Sequence, residues 1–69
     1  MIKLLVTTHH GMTEEWNSRT EREWIELAID EQRQWLIDRE IDLDTVTIDQ
    51  AIEALTHDYQ SVIEVKTLR

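Results

Sequence analysis

Residues 12–23, MTEEWNSRTERE, decide the architecture of this 69-residue chain. Met12 to Asn17 reads either as a strand returning from the N-terminus or as a first helical turn, and the choice sets whether the sheet has two strands or three. Two overlapping capping boxes follow, Ser18 with Glu21 and Thr20 with Glu23. In each, the hydroxyl accepts a hydrogen bond from an orphan amide while the carboxylate reaches back to the cap, so a helix is expected to start there.

Downstream, Trp24, Ile25, Ala28, Ile29, Trp35 and Leu36 fall within one helical stripe of about 140°. No Gly or Pro interrupts that stripe before Glu40, which predicts a single long helix over about 19–40. Gln32 and Arg39 sit in the middle of it. Either Arg39 snorkels at the helix end and Gln32 caps the edge of the sheet, or the two give register to a stripe shared with a second subunit. Opposite charges such as Glu15 and Arg19 are spaced to pair along a helix.

Upstream, residues 1–8 alternate Ile2, Leu4 and Val6 against Met1, Leu5 and the Lys3 stem, a strand with apolar character on both faces. His9, His10 and the chain's one glycine, Gly11, form the turn after it, with Gly11 supplying a positive φ. Residues 40–46, EIDLDTV, alternate Ile41 and Leu43 against Asp42 and Asp44. They read as an extended connector or short strand whose two aspartates stand about 6.7 Å apart on one side. A third capping box, Thr47 with Gln50, opens a short helix over about 48–58, with Ile48, Ala51, Ile52, Leu55 and Tyr59 on one face. Residues 61–68, SVIEVKTL, are β-branched and alternating, a C-terminal strand.

The sum is a single α+β domain over residues 1–69. Two layers are expected: a two- or three-stranded sheet with terminal strands 1–8 and 61–68, covered on one face by the long and the short helix. The terminal strands are expected to run antiparallel unless residues 12–17 add a hairpin arm. Exposed sheet edges in so short a chain suit homodimerisation or capture of another protein's strand.

Fifteen acids against seven Lys plus Arg leave a net charge of −8. That argues against direct binding of nucleic acid, which needs clustered bases to release counterions, and against anionic membranes. No cysteine is present, which removes a disulfide scaffold, a thiolate metal site and a cysteine nucleophile, and favours a reducing, cytoplasmic setting. The first residues are too short an apolar run for a signal-peptide core or a membrane span. With 41% hydrophobic residues in clear periods, the chain is expected to fold rather than stay disordered.

Catalysis is not indicated. There is no Gly-rich phosphate loop and no Ser in a strand-to-helix elbow, and nothing marks a water-poor cleft for the many carboxylates. His9 and His10, with Glu14, Glu15 and the distant His57-Asp58, lack the i, i+4 spacing of a helical zinc site. A solvated turn accounts for the first pair, and His57 suits the C-terminal end of a helix dipole. Neither a metal nor a cofactor is expected.

The tryptophans divide. Trp24 and Trp35 belong to the stripe and are expected in the core, whereas Trp16 lies off it, beside Leu27. Trp16 and Leu27 are therefore the candidate anchors for a partner or a dimer. Charge is distributed just as unevenly. Residues 1–39 carry eight acids and five bases, net −3, while residues 40–69 carry seven acids and two bases, net −5. Between Glu40 and Val65 there is no Lys or Arg at all. Glu40, Asp42, Asp44, Asp49, Glu53 and Asp58 are the candidate acidic face, because a row of like charges is costly unless it serves solubility or steers and docks a basic partner.

The C-terminal third, through Thr47, Asp49, Ala51, Glu53, Tyr59, Glu64-Val65 and Arg69, resembles the helix-then-strand ending of the small acidic RNA-polymerase inhibitors of T7-like phages. The resemblance covers 23 residues, 47–69, and the N-terminal two thirds does not share it, so no functional residue is carried over. The function expected is that of a non-catalytic acidic protein-binding module. It would be a phage or mobile-element-type inhibitor whose acidic face, residues 40–64, engages the basic surface of a nucleic-acid-binding host protein by nucleic-acid mimicry. The alternative is a homodimeric accessory or regulatory module that uses the helical Trp/Ile stripe or a sheet edge, with acidity serving only solubility.

Overall fold

The computed structural model describes residues 1–8, 10–57 and 62–68, with Thr8 and the last group described by backbone alone. The elements in order are β1 (Ile2–Thr8), β2 (Thr13–Arg19), α1 (Glu21–Glu31), α2 (Arg33–Asp38), α3 (Ile48–Thr56) and β3 (Val62–Leu68). Together they form an α+β domain, as the periodicities predict.

The ambiguous residues 12–17 belong to a strand. Gly11, at φ 76°, turns the chain, and β2 returns antiparallel to β1 with Leu4 opposite Trp16 and Val6 opposite Glu14. β3 pairs antiparallel to the other side of β1, Val65 opposite Val6, so the sheet has three strands in the order β2-β1-β3. The hairpin arm and the antiparallel terminal strands thus coexist, against the sequence expectation that one would exclude the other. The crossover from β2 to β3 runs through α1, its kinked continuation α2, the 40–46 turn and α3, and β3 joins the sheet on the side of β1 away from β2.

Of the two overlapping caps, Thr20 with Glu23 is the one used. The Thr20 hydroxyl accepts from the Glu23 amide at 3.1 Å, and the Glu23 carboxylate accepts from the Thr20 amide at 2.9 Å. Ser18 and Arg19 remain in β2, so the Ser18–Glu21 box does not form. Glu15 likewise pairs with Lys3 across the strands, at 3.6 Å, and not with Arg19 along a helix.

The single long helix expected over 19–40 is two helices. Gln32, at φ −125° and ψ 33°, leaves the helical region between α1 and α2. The break occurs without Gly or Pro. At the break the Gln32 carboxamide oxygen lies 2.8 Å from His57 Nε2 at the end of α3. α2 then ends in a Schellman motif. Ile41 donates to the Leu36 carbonyl at 3.0 Å, Glu40 donates to the Ile37 carbonyl at 2.9 Å, and Glu40 takes φ 60°.

Residues 40–46 are not extended. Asp42 Oδ1 accepts from the Asp44 amide at 2.9 Å and the Asp42 carbonyl accepts from the Thr45 amide at 3.0 Å, which makes a turn. An aspartate side chain that bonds its own backbone two residues on competes with a strand. The predicted in-and-out pattern survives the change, with Ile41 and Leu43 packed toward the core and Asp42 and Asp44 exposed. The Thr47–Gln50 box forms as expected, with bonds of 3.0 and 3.2 Å, and α3 runs to Thr56 with His57 as its cap. Asp58, Tyr59 and Ser61, placed by sequence on that helix and the following strand, lie outside the described residues, as do His9 and Arg69.

The helices cover one face of the sheet. Ile2, Leu4, Trp24, Ala28, Leu36, Val46, Ala51, Ala54 and Leu55 form the buried cluster. Trp24 is its largest member, fully buried, and its indole Nε1 donates to the Ile2 carbonyl at 2.8 Å. That bond falls at a bulge, since two steps along β1 from Ile2 to Leu4 oppose three along β2 from Arg19 to Trp16. The uncovered face carries Lys3, Leu5 and Thr7, with Lys3 paired to Glu15 and Thr7 Oγ1 3.2 Å from Thr13 Oγ1. Its polarity suits solvent.

Candidate functional site

Three groups of residues are candidates, and the first is a cleft beside β2. Trp16 and Arg19 come from β2, Trp24, Leu27 and Glu31 from α1, Gln32 from the break and Leu55 from α3; together they line an open cavity of about 340 Å³. Trp16 is held where the β1–β2 register puts it, opposite Leu4 on the helix-covered side. Its ring lies 6.2 Å from that of Trp24, tilted by 31°, and its Nε1 donates to Glu14 Oε2 at 3.3 Å. Arg19 sits just before the cap of α1 with its guanidinium 4.7 Å from the centroid of the Trp24 ring, a cation–π contact.

Trp16 and Leu27, predicted from sequence as anchors, are thus brought together as half-buried walls of one cleft. The sequence does not bring Arg19, Glu31, Gln32 and Leu55 to this cleft, because nothing in their spacing reports that residues of β2, α1 and α3 line one cavity. The walls are aromatic and aliphatic, with one guanidinium and one carboxylate among the lining residues. Such a surface can seat a side chain.

The second group surrounds Trp35. The Arg39 guanidinium lies 4.4 Å from the Trp35 ring centroid, and the His57 ring stacks on Trp35 at 5.0 Å with 20° between planes. Arg39 also reaches Glu53 at 3.8 Å. Gln32 and Arg39, unexplained in the apolar stripe, therefore tie α1 and α2 to α3: one meets His57, the other Trp35 and Glu53. His57 keeps the helix-end position expected of it and gains an aromatic partner.

The third group is the acidic stretch. Glu40, Asp42, Asp44, Asp49 and Glu53 are all exposed. Their backbones are fixed by local structure: Glu40 by the Schellman motif, Asp42 and Asp44 by the turn, and Asp49 by the first turn of α3, where the helix dipole favours a carboxylate. Glu53 has Arg39 as its counter-ion, an exposed pair of the kind that is worth little and exchanges readily. Asp58, the sixth acid, lies outside the described residues.

Among the described residues, Glu23 has a displaced proton affinity. The Thr20 amide, then the Thr20 hydroxyl, bond its charged form and hold its carboxyl below the ordinary glutamate value. That belongs to the helix cap and not to a reaction. Among the described residues, no three His, Asp or Glu side chains are grouped to hold a metal ion, and no helix is long and apolar enough to cross a membrane. His10 is exposed in its turn. No protein-family model, curated protein or solved structure matches the chain.

Proposed function

We propose that this protein is a non-catalytic binding module whose carboxylates in residues 40–58 engage the basic surface of a nucleic-acid-binding protein, standing in for phosphates. On this reading it is an inhibitor of the phage or mobile-element type. The observation that carries the reading is the exposure of Glu40, Asp42, Asp44, Asp49 and Glu53 on a turn and a short helix that contain no Lys or Arg. Short-range hydrogen bonds hold their backbones, so little ordering entropy opposes docking. Because charge complementarity raises association rates and is screened by salt, affinity for the partner should fall steeply with ionic strength.

The test is capture of partners from cell lysate on the immobilised protein at about 50 mM and about 300 mM salt, where the screening length roughly halves. A combined Asp42→Asn, Asp44→Asn, Asp49→Asn and Glu53→Gln variant serves as control. Asn can replace Asp42 in the turn, so the fold is expected to persist. A partner held only at low salt and lost to the variant supports the proposal. One held equally at both salts, or by both proteins, overturns it. The homodimeric alternative is weaker in its helix-stripe form, because Trp24, Ala28 and Leu36 of that stripe are fully buried within one chain.

A further inference from the structure

Of the described arginines, Arg22, Arg33 and Arg39 are exposed, and Arg19 is the half-buried one. Among the described residues it supplies the one positive charge on the walls of the cleft beside β2. Lys3, Arg22 and Arg39 each lie within ion-pair distance of a carboxylate, whereas Arg19 has neither such a carboxylate nor a hydrogen-bond acceptor for its side chain among the described residues. Its contact with the Trp24 ring, at 4.7 Å, holds the cation in place and uses none of its N–H donors. Glu23, four residues on, is committed to the Thr20 amide.

A half-buried guanidinium with unused donors at an open cavity suits an oxyanion, and a carboxylate can meet its fork with two parallel bonds. The other walls define the rest of the ligand. Trp16, Leu27 and Leu55 are apolar and suit an aryl or alkyl body. Glu31 closes α1 at the end away from Arg19, about 16 Å of helix distant, so it repels a second anionic group and sets which way round the ligand lies. A single guanidinium on a chain of net charge −8 favours a monoanion over a phosphate dianion. A cavity of about 340 Å³ is at the small end for ligand sites, which limits the body to one ring or a short chain. We propose that this cleft binds a small apolar monocarboxylic acid, with its carboxylate on Arg19 and its aryl or alkyl body against Trp16, Leu27 and Leu55. The inference does not rest on the acidic stretch, because none of those carboxylates lines the cleft.

The probe is phenylacetate, titrated into the wild-type protein and read by the indole N–H signals in a proton–nitrogen NMR spectrum. The signals of Trp16 and Trp24, which line the cleft, should move to saturation while that of Trp35 stays. For a ligand of so few atoms the dissociation constant should be on the order of millimolar. Phenylacetamide offers the same ring without the charge and should bind at least about tenfold more weakly, the worth of a charge-assisted hydrogen bond. That comparison needs no variant. Arg19→Gln should weaken phenylacetate by a similar factor, with circular dichroism to check that the variant is folded. The tripeptide acetyl-Gly-Gly-Phe carries the same chemistry at a chain terminus and should bind no more tightly than the free acid. Equal binding of acid and amide overturns the proposal, as does a folded Arg19→Gln protein that binds phenylacetate unchanged. So do shifts centred on Trp35, the absence of a saturable shift up to about 50 mM phenylacetate, or a tripeptide bound more than about tenfold more tightly, which would make the cleft a receptor for chain termini.

Discussion

Trp24 and Trp35 stand eleven residues apart on one apolar stripe, and sequence periodicity treats them alike. In the folded chain Trp24 is sealed from solvent and donates a hydrogen bond to Ile2 of β1, whereas Trp35 is half-buried and clasped between Arg39 and His57. Periodicity reports which side of a helix is apolar, and says nothing about how much lies above that side. Over Trp24 the second layer is the sheet with α3 beside it. Over Trp35, beyond the break at Gln32, polar side chains of the helix ends do the covering. Trp24 is held by complete burial, and Trp35 by partial packing against the core together with the Arg39 and His57 contacts.

Truncation should expose the difference. Trp24→Ala removes the largest buried side chain and leaves a cavity, at a cost of about 3–5 kcal/mol. That is comparable to the whole stability of a domain this small, so the variant is expected to be largely unfolded by circular dichroism at 25 °C. Trp35→Ala should cost only about 1–2 kcal/mol, the loss of partial burial and of the Arg39 contact. Equal shifts in the urea midpoint for the two variants would break the comparison.

A smaller effect of opposite sign is expected at the end of α2. Glu40 holds a left-handed conformation at φ 60°, which costs a non-glycine residue about 1–2 kcal/mol, while glycine costs about 0.5–1 kcal/mol in chain entropy. Glu40→Gly should therefore stabilise the Trp35 region by about 0.5–1 kcal/mol, read as a rise in melting temperature. A fall would show that the Glu40 carboxylate contributes something the backbone geometry does not.

The smallest effect belongs to the start of α1, on the Trp24 side. Since the carboxyl of Glu23 titrates below its ordinary value in the folded chain, its contribution to stability is complete above the unfolded value of about 4.3 and is lost as pH falls through the lower folded one. Helical signal from α1 should decline over that acidic window. Glu23→Gln, which can keep the reciprocal cap without a titrating group, should flatten the Glu23 part of the decline. An unchanged acid profile in Glu23→Gln would remove the cap from the account of this end of the helix.

The sequence by itself determined the α+β class, the positive φ of Gly11, a helix cap at Ser18 or Thr20 and another at Thr47, and the exposed acids on a stretch without bases. These depend on neighbours three or four residues away, or on conformations that few side chains adopt, so a local reading suffices. Only the tertiary structure decided that residues 13–19 are a strand, that the helical stripe breaks at Gln32, and that residues 40–46 turn. It alone assembled Trp16, Arg19 and Leu27 with Leu55 into one cleft and stacked His57 on Trp35. Each of these rests on a contact between segments remote in sequence: β2 gains its ladder from β1, and Gln32 gains a partner at the end of α3. Pairing of that kind is set by what else the chain brings within reach, which no window of neighbouring residues contains.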